Sequence, residues 1–152
     1  MTRFLVNLPL RVRVFRTPTP FPAQAKPSPS RVATILLVED DEMVRNLTTG
    51  LLSSLGYTVL VSESPTEAVT RVEDGSVRPD LLLSDVVMPS MSGPELRDRL
   101  TQTMPGLRTV LMSGYTSHTA VREALQDKAV RFVQKPFSKH ELDEAIRDLL
   151  DG

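Results

Sequence analysis

The strongest chemical signal in the sequence is a carboxylate placed where a short apolar strand ends. Residues 81–84 read Leu-Leu-Leu-Ser, and Asp85 follows them directly, ahead of a loop marked by Pro89 and Gly93. In α/β sheets the reactive groups lie at the carboxyl ends of the strands. Asp85 is therefore the first candidate for a reacting side chain.

An acidic pair, Glu39 and Asp40, follows the apolar strand predicted at residues 34–38. Three carboxylates in one crevice would repel one another unless a hard divalent cation bound there. Mg²⁺ prefers oxygen ligands and is usually held by one or two carboxylates with several waters. We predict Asp40 and Asp85 as direct ligands and Glu39 as a ligand through water. The backbone carbonyl of Val87 is predicted as a further oxygen; solvated loop acids are the simpler alternative.

Two more strand ends carry polar groups. The strand predicted at residues 109–112 ends in Ser113, and the strand at 130–134 ends in Lys135, directly before Pro136. A carboxylate nucleophile, a metal, a hydroxyl and an ammonium together are the parts needed for phosphoryl transfer. Taken singly, Ser113 and Lys135 would be read as a turn cap and a surface charge.

The elements that must position these groups alternate regularly along the chain. Strands are predicted at residues 34–38, 57–61, 81–84, 109–112 and 130–134. The first helix is predicted where Val44, Leu47, Leu51 and Leu55 recur before Gly56. Three more are predicted from Pro65 to near Gly75, from Pro94 onward and at about 117–127. The last is predicted after Ser138, which forms a capping box with Glu141. Five strand–helix repeats predict an α/β fold, a doubly wound five-stranded parallel sheet of order 2-1-3-4-5 with five helices.

Composition limits the function classes. The 152 residues suit one domain and contain no cysteine, which excludes disulfides, thiolate metal sites and cysteine nucleophiles. Six of the 18 basic residues and none of the 19 acidic ones lie in residues 1–33, which leaves the remainder with a formal charge of −7. Direct nucleic-acid binding is disfavoured by that acidic body. No apolar run is long enough to cross a bilayer, so we expect a cytoplasmic protein.

Residues 34–151 resemble the receiver domain of two-component response regulators, the fold of the bacterial chemotaxis regulator. The likeness lies in four motifs in family order, which are ILLVEDDE at 35–42, LLLSDVVMPSMSG at 81–93, LMSGYT at 111–116 and FVQKPF at 132–137. One such motif is a weak signal, whereas four at family spacing are specific. We therefore expect a receiver domain over residues 34–152, after a basic, proline-rich and disordered leader at 1–33.

The resemblance implies roles for these residues. Asp85 would accept phosphate from a histidine kinase or a histidine phosphotransfer domain, with Mg²⁺ held by Glu39, Asp40 and Asp85. Ser113 and Lys135 would bind the phosphoryl oxygens. Movement of Ser113 would be followed by the aromatic residue of the fifth strand. That residue is Phe132, which lacks the hydroxyl of the more common tyrosine. The fourth helix, fifth strand and fifth helix would form the output surface, and a homodimer through that surface is left open.

Two positions flank the site where the family sets the lifetime of its phosphate. They are Val87 and Tyr115, both bulky and neither suited to holding a water molecule. We therefore expect slow self-hydrolysis. Glu39 in place of the more common aspartate, and Ser113 in place of threonine, are departures that should preserve the chemistry.

Residues 112–115, Met-Ser-Gly-Tyr, look like the receivers appended to hybrid sensor kinases. Residues 3–10 are similar to the last strand of a kinase ATP-binding domain, and a proline-rich linker would follow such a strand. The alternative interpretation of the chain is thus the terminal receiver of a hybrid histidine kinase.

The motifs disfavour three rival functions. A phosphatase of the haloacid dehalogenase type needs an acid two residues after its nucleophile, and Val87 stands there. A degenerate receiver that is never phosphorylated would lack one of the acids or the lysine, and this sequence has all of them. A DNA-binding regulator is disfavoured because no output domain follows Gly152. We expect a signalling domain whose only catalysis is its own phosphorylation and dephosphorylation.

Overall fold

A computed structural model of the chain describes residues 32–114 and 119–151. The five strands are β1 Thr34–Val38, β2 Thr58–Ser62, β3 Leu81–Asp85, β4 Arg108–Ser113 and β5 Val130–Gln134. The five helices of this part are α1 Glu42–Ser54, α2 Pro65–Glu73, α3 Gly93–Thr103, α4 Thr119–Ala124 and α5 Lys139–Asp151. The leader at 1–33, predicted to be disordered, lies outside the described residues except for its last two positions.

The strands form one parallel sheet in the order β2-β1-β3-β4-β5, which confirms the predicted topology. β1 and β3 lie side by side near its centre, with Leu37 in register with Leu83 and Val38 with Ser84. β4 continues the register, so that Met112 lies beside Asp85. The order of the chain reverses between β1 and β3, and in this fold the crevice at that reversal is where ligands bind.

Alternation along the strands divides the core into two faces. Ile35, Leu37, Leu81 and Leu83 pack with α1 and α5, whereas Leu36 and Leu82 pack with α2 and α3. A third cluster around Leu111 holds α4. Because both faces are covered, every β3 residue from 81 to 84 is buried, as an unbroken apolar strand in a parallel sheet predicts.

Side-chain caps set where the helices begin. Asp41 accepts a hydrogen bond from the Val44 backbone N–H at the start of α1. Ser92 and Glu95 form a reciprocal capping box at α3. The capping box predicted for α5 is confirmed, since Ser138 Oγ accepts from the Glu141 N–H and the Glu141 carboxylate accepts from the Ser138 N–H. Each such cap contributes about 1 kcal/mol to stability.

The structure differs from the sequence prediction on one helix face and at several element ends. β3 extends one residue further, to Asp85, and β4 extends one residue further at each end, to Arg108 and Ser113. The apolar stripe expected on α1 is offset, because Leu47 is 66% exposed and the buried residues are Thr48 and Leu52. β2 begins one residue later than predicted, because its pairing with β1 starts at Thr58. In the described residues α4 covers only Thr119–Ala124, and residues 117 and 118 of its predicted start lie outside them.

Gly93 and Gly50 give a matched test of the packing around Asp85. A Cβ added at Gly93 would lie 2.4 Å from the backbone oxygen of Asp85 and 3.1 Å from Leu111 Cδ2, whereas one at Gly50, in the middle of α1, meets nothing within 4 Å. We expect Gly93→Ala to lower the free energy of unfolding by about 1–3 kcal/mol. Gly50→Ala should raise it by about 0.5–1 kcal/mol, because alanine is the better helix former.

Urea denaturation of the two variants beside the parent chain measures both effects. A neutral Gly93→Ala would show that the loop after β3 moves away from Asp85 without cost. That result would contradict the tight packing described here.

Candidate functional site

Three charged residues extend three strands on the same side of the sheet. Glu39 follows Ile35 and Leu37 at period two, Asp85 follows Leu81 and Leu83, and Lys135 follows Val133. All five of those apolar residues belong to the cluster under α1 and α5. Because side chains alternate along a strand, the three charged groups leave the sheet on that side too. The alternation that places apolar residues in the core therefore also brings these three charged residues together.

Lys135 lies between two carboxylates. Its Nζ is 3.0 Å from Glu39 Oε2 and 3.4 Å from Asp85 Oδ2. The Glu39 side chain is 1% exposed, that of Asp85 13% and that of Lys135 25%. The other Glu39 oxygen, Oε1, accepts a hydrogen bond of 3.1 Å from the Asp41 backbone N–H. Both Glu39 oxygens therefore already have protein donors.

Asp40 completes an acidic group with Glu39 and Asp85. Each of the three offers one carboxylate oxygen, and these oxygens lie within 4.8 Å of one another. Asp40 is exposed at the mouth of the crevice, whereas Glu39 is buried beneath it. A donor set made only of oxygen atoms suits a hard cation such as Mg²⁺. The engaged oxygens of Glu39 favour Asp40 and Asp85 as the direct ligands, with Glu39 one water further away.

The other predicted site residues are spread around this crevice. Ser113 is buried at the end of β4, and its carbonyl accepts a hydrogen bond of 2.9 Å from the Lys135 backbone N–H. Phe132 pairs in register with Leu111 and packs against the cluster under α4. Val87 lies on the loop after β3 and is 56% exposed. Tyr115 lies outside the described residues.

Two residues have a part in this geometry that the sequence did not reveal, namely Gly93, which was predicted only as a loop residue, and Arg45. Gly93 allows the chain to pass close to the Asp85 carbonyl, and its N–H donates to Val86 O at 2.8 Å. Arg45 on α1 donates to the backbone carbonyls of Glu39 and Asp40. Bonds to backbone carbonyls leave no pattern in a sequence, and the only signal for Arg45 was a basic residue one turn into a helix that follows acids.

A family model described as the response regulator receiver domain matches residues 35–147. The chain belongs to the response regulator receiver family. Sensor kinase CckA of Brucella abortus (strain 2308) is 38% identical over 119 residues, 78% of this chain and 13% of that kinase. This receiver therefore spans only a small part of the curated relative's length.

Solved structures agree with that assignment. The receiver domain of hybrid histidine kinase CckA is 32% identical, with a TM-score of 0.63 over 76% of this chain and 98% of that one. A CheY-like receiver domain protein from Methanospirillum hungatei JF-1 is 28% identical, with a TM-score of 0.70 over 80% of this chain and 95% of that one. The predicted likeness to receivers of hybrid kinases is confirmed. No helix in the described parts of this receiver is both long enough and apolar enough to cross a membrane.

Burial and ion pairing have opposite effects on the pKa values of the charged residues in the receiver's crevice. Burial raises the pKa of Asp85 above its ordinary value, although the charge and hydrogen bond of Lys135 act against this shift. Burial also raises the pKa of Glu39, in spite of its hydrogen bonds from Asp41 and Lys135. For Lys135, burial favours a lower pKa, but the hydrogen bond to Glu39 and the two carboxylate charges outweigh it and raise the pKa. The ammonium is thus firmly charged, while the ionised carboxylates are disfavoured by their surroundings.

In metal-free solution we expect Asp85→Asn to be more stable than the parent receiver at neutral pH. Because the folded pKa of Asp85 is raised, its contribution to stability is complete below the unfolded pKa and is lost as the pH rises through the folded pKa. The advantage of Asp85→Asn should therefore be small in acid and grow toward neutral pH. Urea denaturation with a chelator at a series of pH values measures this difference, and an advantage independent of pH would contradict the argument.

Proposed function

We propose that the protein is the phosphoacceptor of a two-component phosphorelay and that Asp85 carries the phosphate. The observation that supports this proposal is the convergence of Glu39, Asp40 and Asp85 within 4.8 Å, with the Lys135 ammonium 3.4 Å from Asp85. Three carboxylates and one ammonium leave a net charge of −2, which a divalent cation would balance. Membership of the receiver family is consistent with this chemistry.

The proposed step is transfer of a phosphoryl group from a phosphohistidine. A carboxylate oxygen of Asp85 forms a bond to phosphorus, the bond from phosphorus to the imidazole nitrogen breaks, and the released nitrogen takes up a proton. Mg²⁺ bound by Asp40 and Asp85, with Glu39 through water and the Val87 carbonyl, would neutralise the phosphoryl oxygens. Asp85 is only partly buried, so a donor can approach it from solvent.

Lys135 and Ser113 are proposed to hold the phosphoryl group. The Lys135 ammonium already lies against Asp85 Oδ2, and an acyl phosphate on that side chain would offer it a new anionic oxygen. Ser113 ends the strand beside β3, and its backbone is tied to that of Lys135. A hydroxyl at this strand end would donate to a further phosphoryl oxygen.

Incubation with acetyl phosphate and Mg²⁺, followed by intact-mass measurement, tests the assignment. We expect the parent chain to gain one phosphoryl group and Asp85→Asn to gain none, because the amide is not a nucleophile. Asp98→Asn is the matched control, since Asp98 is an exposed aspartate on α3, and it should be labelled like the parent. Phosphate retained on Asp85→Asn would overturn the assignment, and omission of Mg²⁺ should slow the labelling of the parent.

Phosphorylation is proposed to switch the surface formed by α4, β5 and α5. Phe132 is the register partner of Leu111, which belongs to the cluster beneath α4, and Phe132 packs against that cluster. Ser113 follows Leu111 at period two, so a movement of Ser113 toward a phosphate on Asp85 would disturb the cluster at its edge. The same surface is the proposed contact for a downstream protein or for a second copy of the chain.

The acyl phosphate is proposed to be long-lived, because Val87 and Tyr115 cannot hold an attacking water. We expect a half-life of minutes or longer for the phosphorylated chain after removal of acetyl phosphate. Val87→Asn should shorten it, since the amide side chain on this exposed position can hydrogen-bond a water near phosphorus. Loss of the phosphorylated mass with time measures both rates, and a half-life of seconds or less in the parent would contradict the proposal.

The proposed partners are a sensor histidine kinase or a histidine phosphotransfer domain in the cytoplasm. Likeness to the receiver of a hybrid kinase favours a second form of the proposal, in which this receiver acts as part of a hybrid histidine kinase. In both forms its chemistry is limited to gaining and losing its own phosphate, without a further substrate.

A further inference from the structure

One arginine contacts the backbone carbonyls of two members of the acidic group, Glu39 and Asp40. Arg45 lies in the second turn of α1, and its Nη1 donates to Glu39 O at 2.9 Å and to Asp40 O at 3.3 Å. Its own backbone N–H donates to Asp41 O at 2.8 Å. That last bond is the ordinary i to i−4 bond of the first helical turn, so the guanidinium itself contacts two carbonyls, those of Glu39 and Asp40.

These contacts set the direction in which the Cα–Cβ bond of Asp40 leaves the backbone. The carbonyls of Glu39 and Asp40 belong to the two peptide planes on either side of the Asp40 Cα, and each plane is rigid. Holding both planes with the same guanidinium nitrogen fixes where the Asp40 Cβ points. Asp40 is exposed, and the hydrogen bond between it and Arg45 goes to its backbone rather than to its carboxylate. Its side chain thus depends on the backbone for its orientation.

Glu39 and Asp85 are held differently from Asp40. Glu39 is buried and receives hydrogen bonds on both carboxylate oxygens, from Asp41 and Lys135. Asp85 lies at the end of a central strand, with Lys135 against it. Among the three carboxylates of the group, Asp40 is therefore the one whose placement rests most on Arg45.

We propose that Arg45 is a positioning residue for the divalent cation, acting through the peptide planes of Glu39 and Asp40 without touching the metal. The inference rests on the proposed function only in taking the acidic group as the cation site. A charge-assisted hydrogen bond to a carbonyl is about twice as strong as a neutral one, so the guanidinium holds the turn firmly.

The direction of the change in Mg²⁺ affinity distinguishes a positioning role of Arg45 from a direct effect of its charge. Arg45 is a cation beside a cation site, so its charge alone opposes Mg²⁺ binding, and removing that charge should strengthen binding. Loss of positioning should weaken Mg²⁺ binding, because a more mobile Asp40 carboxylate must be ordered when the metal binds. The proposal therefore requires weaker binding from a substitution that makes the site more negative.

Isothermal titration of the unphosphorylated 152-residue chain with MgCl₂ tests the proposal. We expect the Kd for Mg²⁺ to rise about 10-fold in Arg45→Gln, as is typical when a residue that orients metal ligands is lost. Arg45→Lys keeps the charge but not the planar fork, and its Kd should rise about 3-fold. The matched control is Arg99→Gln, which removes a charge of the same kind from an exposed pair with Glu73 and should leave the Kd unchanged.

The outcomes are distinct. Weaker binding in both Arg45 variants supports the proposal, and Arg45→Lys decides it alone if Arg45→Gln does not fold. An unchanged Kd with a lowered thermal midpoint would overturn it and leave Arg45 a structural role only. Tighter binding in Arg45→Gln would also overturn it, in favour of charge. Failure of the parent chain to bind Mg²⁺ at millimolar concentration would instead overturn the cation site itself.

Discussion

The burial of two carboxylates around a single ammonium is the interaction on which the site depends. Glu39 and Asp85 share Lys135, and burial disfavours their ionised forms more than the lysine favours them. An arrangement of this kind is not the most stable one for a folded chain, since unbalanced buried charge is costly. The proposed divalent cation and the proposed phosphorylation of Asp85 would each offset this cost.

The fold supplies this crevice by topology rather than by local sequence. Residues 39, 85 and 135 are far apart in the chain and are brought together because β1 and β3 are neighbours and β5 lies two strands further along. The hydrophobic clusters on both faces supply the stability that the site does not. Core and site residues are separated in the same way along β3. Residues 81–84 are buried, and only Asp85, the last residue of the strand, is partly exposed.

Much of this architecture can be predicted from the sequence, because the local signals agree with the global fold. β5 was predicted at its observed bounds, since a lysine and a proline end it. The offset of α1 could not be predicted, because periodicity alone does not say whether Leu51 or the adjacent Leu52 lies at the centre of the buried face. Leu52 is fully buried, and Leu47 is exposed. The acids could be anticipated from strand ends. The contacts of Arg45 could not, because they join a side chain to backbone carbonyls whose direction exists only in the folded turn.

Alternation along β3 has an evolutionary consequence. Leu81 and Leu83 pack on one face and Leu82 on the other, and Asp85 continues the first set. Insertion or deletion of one residue inside this strand would exchange the two faces and point the aspartate away from the crevice in a single step. Lineages that diverge from this chain are therefore expected to change length in the connections between elements. The strand should keep its length even where its leucines are replaced by other apolar residues.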